Sequence, residues 1–183
     1  PTINEKLTVI LQGRGITSLV PGKRLIQGVN YERVNESGLT YQNQCVAFAK
    51  MAMLSTTATS NWKKGSDLAT LFPNGKASSQ LAAYGALPYG TVIATFNGNT
   101  SYNLNATNPH VAIVQSVDVD STGKVNGVWV WDQNGVNSTV LGGTTVTVGG
   151  TTTGGVIMRH YLPWSSTSTV TTLSLKNYSI VTD

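Results

Sequence analysis

Two kinds of hydrophobic pattern divide the chain near residue 87. Before this point, apolar residues recur at the spacing of one helical face and predict a helix over residues 42–54: Val46, Ala49, Ala52 and Met53. Residues 66–71 and 80–84 predict two shorter helices. The first half of the chain is therefore predicted to be mainly helical.

After residue 87, runs of β-branched and aromatic residues bounded by turn residues predict strands at residues 91–96, 110–117, 127–132 and 156–161. Residues 118–123 reverse the chain, so the second and third of these runs are predicted to form an antiparallel hairpin. A last alternating run, residues 173–181, predicts an edge strand. The predicted fold class is α+β, with N-terminal helices packed on a central antiparallel β-sheet.

One domain is expected over residues 1–183, because this length suits a single hydrophobic core. Its distinctive motifs lie within residues 41–134. A Gly- and Thr-rich segment, residues 142–155, has the composition of a β-hairpin or a flexible loop, and the strands of residues 156–183 follow it.

The composition argues against several classes of partner. Charged residues make up 11% of the chain, and the net charge of +4 comes from basic residues that are scattered along it. No nucleic-acid partner is predicted, because no binding motif or basic stripe occurs, whereas an anionic cell wall would suit the same charge. No membrane insertion is predicted, since no apolar run approaches the ~20 residues that a membrane span needs.

No metal and no cofactor are predicted either. A single cysteine excludes a zinc site built on several cysteines. Asp118, Asp120 and Thr122 resemble the start of a calcium loop, but the position of the closing bidentate acid holds Trp129. A turn is the simpler interpretation of this segment.

The candidate chemistry begins with the only cysteine, Cys45, near the start of the predicted helix and behind Asn43, which can cap it. A helix N-terminus or an imidazolium stabilises the thiolate, which is the reactive form of the side chain. His110 opens a predicted strand and is the candidate base, whereas His160 has no companion motif. A free cysteine is also often a small core residue, so packing alone is the competing interpretation.

Four short motifs, in the same order, resemble those of the papain-like peptidoglycan hydrolases of the NlpC and CHAP kind. The nucleophile helix of that family opens with Gln-Cys, found here as Gln44-Cys45. Its strand Pro-x-x-Gly-Asp-x-Val-x-Phe is similar to Leu87-Pro-Tyr-Gly-Thr-Val-Ile-Ala-Thr-Phe96. Its Gly-His-Val-Ala-Ile-Val is similar to Asn108-Pro-His-Val-Ala-Ile-Val114, and its strand ending in Glu-x-Asn is similar to Trp129-Val-Trp-Asp-Gln-Asn134.

This resemblance implies a papain-like fold and a cysteine hydrolase, an amidase or endopeptidase, that cleaves an amide bond of the peptidoglycan stem peptide. Cys45 would be the nucleophile, His110 the base, and Asp132 the acid that fixes the tautomer of the imidazole. Because Asp132 is shorter than the Glu of the family, Asn134 stays an alternative third residue.

Several polar groups near the nucleophile are candidates for stabilising the oxyanion. The backbone N–H of Cys45, at a helix start, is one donor, and the side-chain candidates are Tyr41, Gln42 and Gln44. Capping of the helix N-terminus is the alternative role of the glutamines.

Aromatic side chains are the candidates for a substrate groove, because their faces stack on sugars. Trp62 lies in a predicted polar loop and is the best groove candidate. Trp129 and Trp131 alternate with valines, so at least one of them is expected in the core.

The expected partner is the peptidoglycan stem peptide. Because the N-terminus lacks the features of a signal peptide, we expect synthesis in a bacterial or phage-infected cytoplasm and action in the periplasm or cell wall. Two routes fit: an injected interbacterial toxin, which would require an immunity protein in the producing cell, or a phage lysin. A cysteine protease or deamidase acting on protein, and a non-enzymatic β-rich binding module, remain alternatives.

Overall fold

The computed structural model describes residues 24–26, 45–46, 49, 59–103, 109–133, 146–148, 151–153 and 157–182. The chain divides into two compact units. The first consists of Pro1–Ala58 and Trp131–His160, and the second of Thr59–Val130 and Tyr161–Asp183.

The described strands, in chain order, are β1 Arg24–Ile26, β2 Lys63–Asp67, β3 Val92–Ala94, β4 Val111–Val119, β5 Val125–Gln133, β6 Val146–Val148, β7 Thr151–Thr153, β8 Ile157–Pro163 and β9 Ser179–Thr182. The two described α-helices with defined bounds are α1 Leu68–Leu71 and α2 Gln80–Ala86. Single 3₁₀ turns lie at Thr59–Asn61, Pro73–Gly75, Thr171–Leu173 and Leu175–Asn177. The mixed class of helices and antiparallel strands predicted from the sequence is confirmed.

Six strands contribute to the sheet of the second unit, in the order β8-β5-β4-β3-β9-β2. β3 and β4 are antiparallel neighbours, with Val92 opposite Ile113 and Ala94 opposite Val111. The prediction of an edge strand at residues 173–181 is wrong in position, because β9 lies between β3 and β2. Within the run predicted as a strand, Leu175–Asn177 form a 3₁₀ turn, and the strand begins only at Ser179.

The sequence did not predict β2, the strand that pairs with the outer side of β9. β2 has the sequence Lys-Lys-Gly-Ser-Asp, and its residues are exposed or half-buried along its whole length. A half-buried strand is recognised by alternating apolar residues, and this one has none. It pairs with β9 through Lys63 opposite Thr182 and Lys64 opposite Val181.

The predicted hairpin of β4 and β5 is confirmed, and Asp120 closes its turn. The Asp120 carboxylate accepts hydrogen bonds from the backbone N–H of Thr122 and Lys124 at 2.9 and 3.0 Å and from the Thr122 hydroxyl at 2.6 Å. These donors lower the pKa of Asp120 below its ordinary value, the Thr122 hydroxyl contributing most. Gly123 completes the turn with φ of +90°, a backbone conformation that side chains with a Cβ rarely adopt.

The core of the second unit lies under this sheet. Helix α2 starts at a cap in which the Ser79 hydroxyl accepts from the N–H of Ala82 at 3.0 Å. Of the seven residues of α2, only Ala83 is fully buried. The core cluster combines residues of the helices and turns with strand residues: Leu68, Phe72, Ala77, Ala83, Leu87, Ile93, Ala112, Val114, Val117, Val119, Val125, Val128, Val130, Leu162, Leu175 and Tyr178.

The first unit contains the predicted nucleophile. Cys45, Val46 and Ala49 are helical and buried, which agrees with the helix predicted over residues 42–54. β1 pairs antiparallel with β8 through Arg24 opposite Met158. The Gly- and Thr-rich segment, for which a hairpin and a flexible loop were both expected, contains the antiparallel pair β6–β7, with Val146 opposite Thr153.

In the part of the chain that the structure describes, no helix has the length and apolar character required to cross a bilayer.

Candidate active site

The predicted base, His110, is held at the point where the chain enters β4. Its side chain is buried, with 8% of its surface exposed. Two hydrogen bonds tie its backbone to Thr95, the residue that follows β3. The His110 N–H donates to the Thr95 hydroxyl at 2.9 Å, and the Thr95 N–H donates to the His110 carbonyl at 3.0 Å.

This arrangement follows from the register of the sheet. Ile93 lies opposite Ala112 and Ala94 opposite Val111, so Thr95 and His110 continue the ladder by one more pair. In a regular hydrogen-bonded pair, both N–H groups donate to main-chain carbonyls. Here a side-chain oxygen replaces one of these carbonyls, which makes the Thr95 hydroxyl part of the frame around His110. Sequence reasoning did not identify Thr95; the available signal was a hydroxyl within the otherwise apolar run of residues 92–96.

The loop that joins Thr95 to His110 is anchored at its start by buried aromatic rings. Phe96 and Tyr102 meet edge to face with their centroids 6.1 Å apart, and Tyr102 lies 5.9 Å from the ring of Trp62. The Tyr102 N–H also donates to the Trp62 carbonyl at 3.0 Å, and the Lys64 N–H donates to the Thr100 carbonyl at 2.9 Å. The path of the chain away from β3 is therefore fixed by packing and by main-chain hydrogen bonds.

Trp62 does not have the role that the sequence suggested. Its side chain has 0% of its surface exposed and belongs to the aromatic cluster with Phe96 and Tyr102, so no face of the indole is open to a sugar or peptide. The prediction that Trp62 lines a groove is therefore corrected: it is a core residue that supports the loop before His110. Of the two strand tryptophans, Trp131 is buried, as expected for one of them, and Trp129 is half-buried against Tyr161.

The other predicted catalytic residues lie in the first unit. Cys45 is helical and 8% exposed, and Asp132 is 1% exposed within β5. Because His110 belongs to the second unit, the predicted pairing of Cys45 with His110 and of His110 with Asp132 stays a prediction. The remaining candidates fall outside the described residues: Tyr41, Gln42, Gln44 and Asn134.

The acidic side chains Asp118 and Asp67 of the second unit accept hydrogen bonds from neighbouring hydroxyl groups. Asp118, on the calcium-loop-like segment, accepts a hydrogen bond from the Tyr161 hydroxyl at 2.7 Å. Burial and this contact raise the pKa of Tyr161, burial contributing more. Asp67 accepts from the Ser179 hydroxyl and lies 3.3 Å from the Lys64 ammonium group; the Ser179 contact does most to lower the pKa of Asp67. Among the described residues, no three His, Cys, Asp or Glu side chains are grouped as a metal site requires.

Residues 22–154 match the model of the family described as domesticated amidase effector 2. Since this match spans well over half of the chain, the chain belongs to the domesticated amidase effector 2 family. No curated protein and no solved structure shows significant similarity to the chain.

The matched region contains all three predicted catalytic residues, Cys45, His110 and Asp132. Membership of this family supports the coarse part of the sequence prediction, an amidase-type hydrolase that acts on peptidoglycan. The finer likeness to the NlpC and CHAP enzymes, and the dependence on a cysteine, stay predictions.

Proposed function

We propose that this protein is a cysteine-dependent peptidoglycan hydrolase of papain-like fold that cleaves an amide bond in the stem peptide, either as an amidase or as an endopeptidase. The observation that carries the proposal is that an amidase-family match includes Cys45, a helical residue, and His110, a buried residue fixed at a strand start. A nucleophile and a base on rigid elements are what acyl transfer requires.

In the first half of the proposed reaction, His110 holds Cys45 as the thiolate, which attacks the carbonyl carbon of the scissile amide. The new C–S bond produces a tetrahedral oxyanion, for which the Cys45 backbone N–H and a side chain from Tyr41, Gln42 or Gln44 are the proposed donors. As the C–N bond breaks, the imidazolium of His110 gives its proton to the leaving amine.

In the second half, neutral His110 accepts a proton from water, which attacks the thioester, and the C–S bond breaks to release a carboxylate and the Cys45 thiolate. Asp132, or Asn134 in its place, would keep the imidazole in the tautomer that faces the sulfur. A buried carboxylate within a strand suits a residue that orients a neighbour rather than one that binds substrate.

The description of the family as effectors favours an exported toxin over a phage lysin. In this proposal the protein is delivered to the periplasm or cell wall, and a producing cell that is itself susceptible needs an immunity protein that covers the site. The alternative of a non-enzymatic binding module is disfavoured, because this chain would then be a member of an amidase family that has lost the amidase activity.

The test is hydrolysis of purified peptidoglycan by wild type and by Cys45→Ala and His110→Ala, followed as loss of turbidity. We expect both variants to lose at least ~10³-fold in rate, because a missing nucleophile or base removes most of the catalysis. His160→Ala is the matched control, since His160 is the only other histidine of the chain. Thermal unfolding of each variant checks that the fold is retained.

Full activity of Cys45→Ala would refute the cysteine mechanism. Inactivity of the wild type on peptidoglycan, together with cleavage or deamidation of a protein substrate, would favour the protease or deamidase alternative. Mass spectrometry of the released muropeptides would then identify the scissile bond: beside the lactyl group, between residues of the stem peptide, or in a cross-bridge.

A further inference from the structure

We propose that Thr95 is a positioning residue for the reaction: its buried hydroxyl fixes the backbone of His110, and thereby aims the imidazole at the nucleophile. This inference rests on the proposed function, because it assigns His110 the role of base. Thr95 itself would touch neither substrate nor sulfur.

The geometry that supports this role is a clamp with two hydrogen bonds. Thr95 has 1% of its surface exposed, so neither its hydroxyl nor its main chain exchanges partners with bulk water. Its hydroxyl accepts from the His110 N–H at 2.9 Å, while its N–H donates to the His110 carbonyl at 3.0 Å. Both peptide groups of His110 are therefore fixed to one residue, and the Cα–Cβ direction of the histidine is fixed with them.

The position of this clamp in the chain explains why a hydroxyl is needed there. β3 ends at Ala94 and β4 begins at Val111, so His110 lies at the mouth of the loop of residues 96–109. The next pair of the same register, Phe96 with Pro109, would be a non-hydrogen-bonded pair in which neither N–H faces the other strand, so it adds no further main-chain hydrogen bond. Without the Thr95 hydroxyl, the His110 N–H would lose this partner in a buried position, and of the two bonds only the one from the Thr95 N–H to the His110 carbonyl would remain.

The side chain of threonine is suited to this task, because its χ1 angle is stiff. Serine supplies the same oxygen with a freer rotamer, and valine has nearly the same shape without the oxygen. Thr91 provides a matched control within the same run of residues. Its hydroxyl donates to the Pro88 carbonyl at 2.7 Å, away from His110, so Thr91→Val deletes a hydroxyl hydrogen bond near β3 that the base does not use.

The experiment measures the pH dependence of iodoacetamide alkylation of Cys45, the single thiol of the chain, in five full-length proteins. A thiolate paired with an imidazolium is alkylated with a midpoint below the free-thiol value of about 8.5, and the midpoint rises when the imidazole is displaced. We expect wild type, Thr95→Ser and Thr91→Val to share a low midpoint. We expect Thr95→Val to shift toward the midpoint of His110→Ala, with a fall in kcat of ~10–100-fold and little change in KM.

The outcomes separate this inference from the proposed function. If wild type and His110→Ala have the same midpoint, then His110 does not face Cys45 and the proposed function fails. If these two differ while Thr95→Val has the wild-type midpoint and kcat, the dyad stands and the role of Thr95 is refuted. Thr95→Ala makes the same deletion with a smaller side chain and takes the place of Thr95→Val if that variant does not fold.

Discussion

The turn between β4 and β5 allows a quantitative test of how the hairpin is stabilised. This hairpin matters for the site, because β4 directly follows His110 and β5 contains Asp132. At Gly123, φ is +90°, and an added Cβ would lie 2.5 Å from the backbone oxygen of Ala77, closer than real Cβ atoms come to a carbonyl. The Ala77 N–H also donates to the Gly123 carbonyl at 2.8 Å. Gly123→Ala therefore imposes an unfavourable backbone conformation and forces apart two segments that a hydrogen bond joins.

The expected magnitude is the sum of these two effects. A left-handed conformation is unfavourable for alanine by ~1–2 kcal/mol. Loss of the Ala77–Gly123 hydrogen bond adds ~0.5–1.5 kcal/mol. The sum, ~1.5–3.5 kcal/mol, lowers the melting temperature of a domain of this size by roughly 3–14 °C.

Two other glycines separate the contributions. Gly98 has φ of +83° with no atom within 4 Å of an added Cβ, so Gly98→Ala should lose only the ~1–2 kcal/mol of the backbone term. Gly85 lies within α2, its added Cβ meets nothing within 4 Å, and Gly85→Ala should gain ~0.5–1 kcal/mol.

The assay is urea unfolding followed by circular dichroism, with the slope m checked to be constant across the three variants. The expected order of stability is Gly85→Ala above wild type, then Gly98→Ala, then Gly123→Ala. A Gly123→Ala protein as stable as Gly98→Ala would refute the argument, since the contact with Ala77 would then contribute nothing.

Three further predictions concern single side chains. Trp62→Ala should destabilise the protein by ~3–5 kcal/mol in urea unfolding, because it empties a fully buried site, whereas an indole in an open groove would leave stability unchanged. The pKa of Asp67 is depressed in the folded state, so its contribution to stability should be complete above the ordinary value of 3.8 and be lost as the pH falls below it. Ser179→Ala should weaken that acid dependence in melting curves recorded from pH 2 to 6, and an unchanged curve would contradict it. Asp132→Asn should fold and retain more hydrolysis of peptidoglycan than the Cys45→Ala variant, and wild-type kinetics would point to Asn134 instead.

The sequence predicted those elements whose secondary structure is encoded by their own residues. The β4–β5 hairpin and the strand start at His110 were predicted, because β-branched residues and turn residues are local signals. The position of β9 between β3 and β2 was missed, because neighbours in a sheet are a tertiary property that alternation does not encode. Thr95 was missed for the same reason: its partner depends on a register that reaches one pair beyond the strand.

Trp62 shows a different limit of sequence reasoning. A tryptophan within a polar segment suggests an exposed ring, and its neighbours Asn61 and Lys63 are indeed exposed. The ring is nonetheless fully buried: Tyr102, over 30 residues later in the chain, packs against it, and Phe96 packs in turn against Tyr102. Local polarity does not reveal contacts made at such separation.

The place of β9 in the sheet also has a consequence for how the protein is made. Strand β2 pairs with β9 over more than a hundred intervening residues, with Lys63 opposite Thr182, and β9 also covers the side of β3 away from β4. During synthesis on the ribosome, the second unit therefore cannot complete its sheet until Ser179–Thr182 has emerged. Pairing at such separation slows folding, and until it occurs β3 presents an open edge. A nascent chain arrested before β9 is accordingly expected to be the form that chaperones bind and proteases degrade.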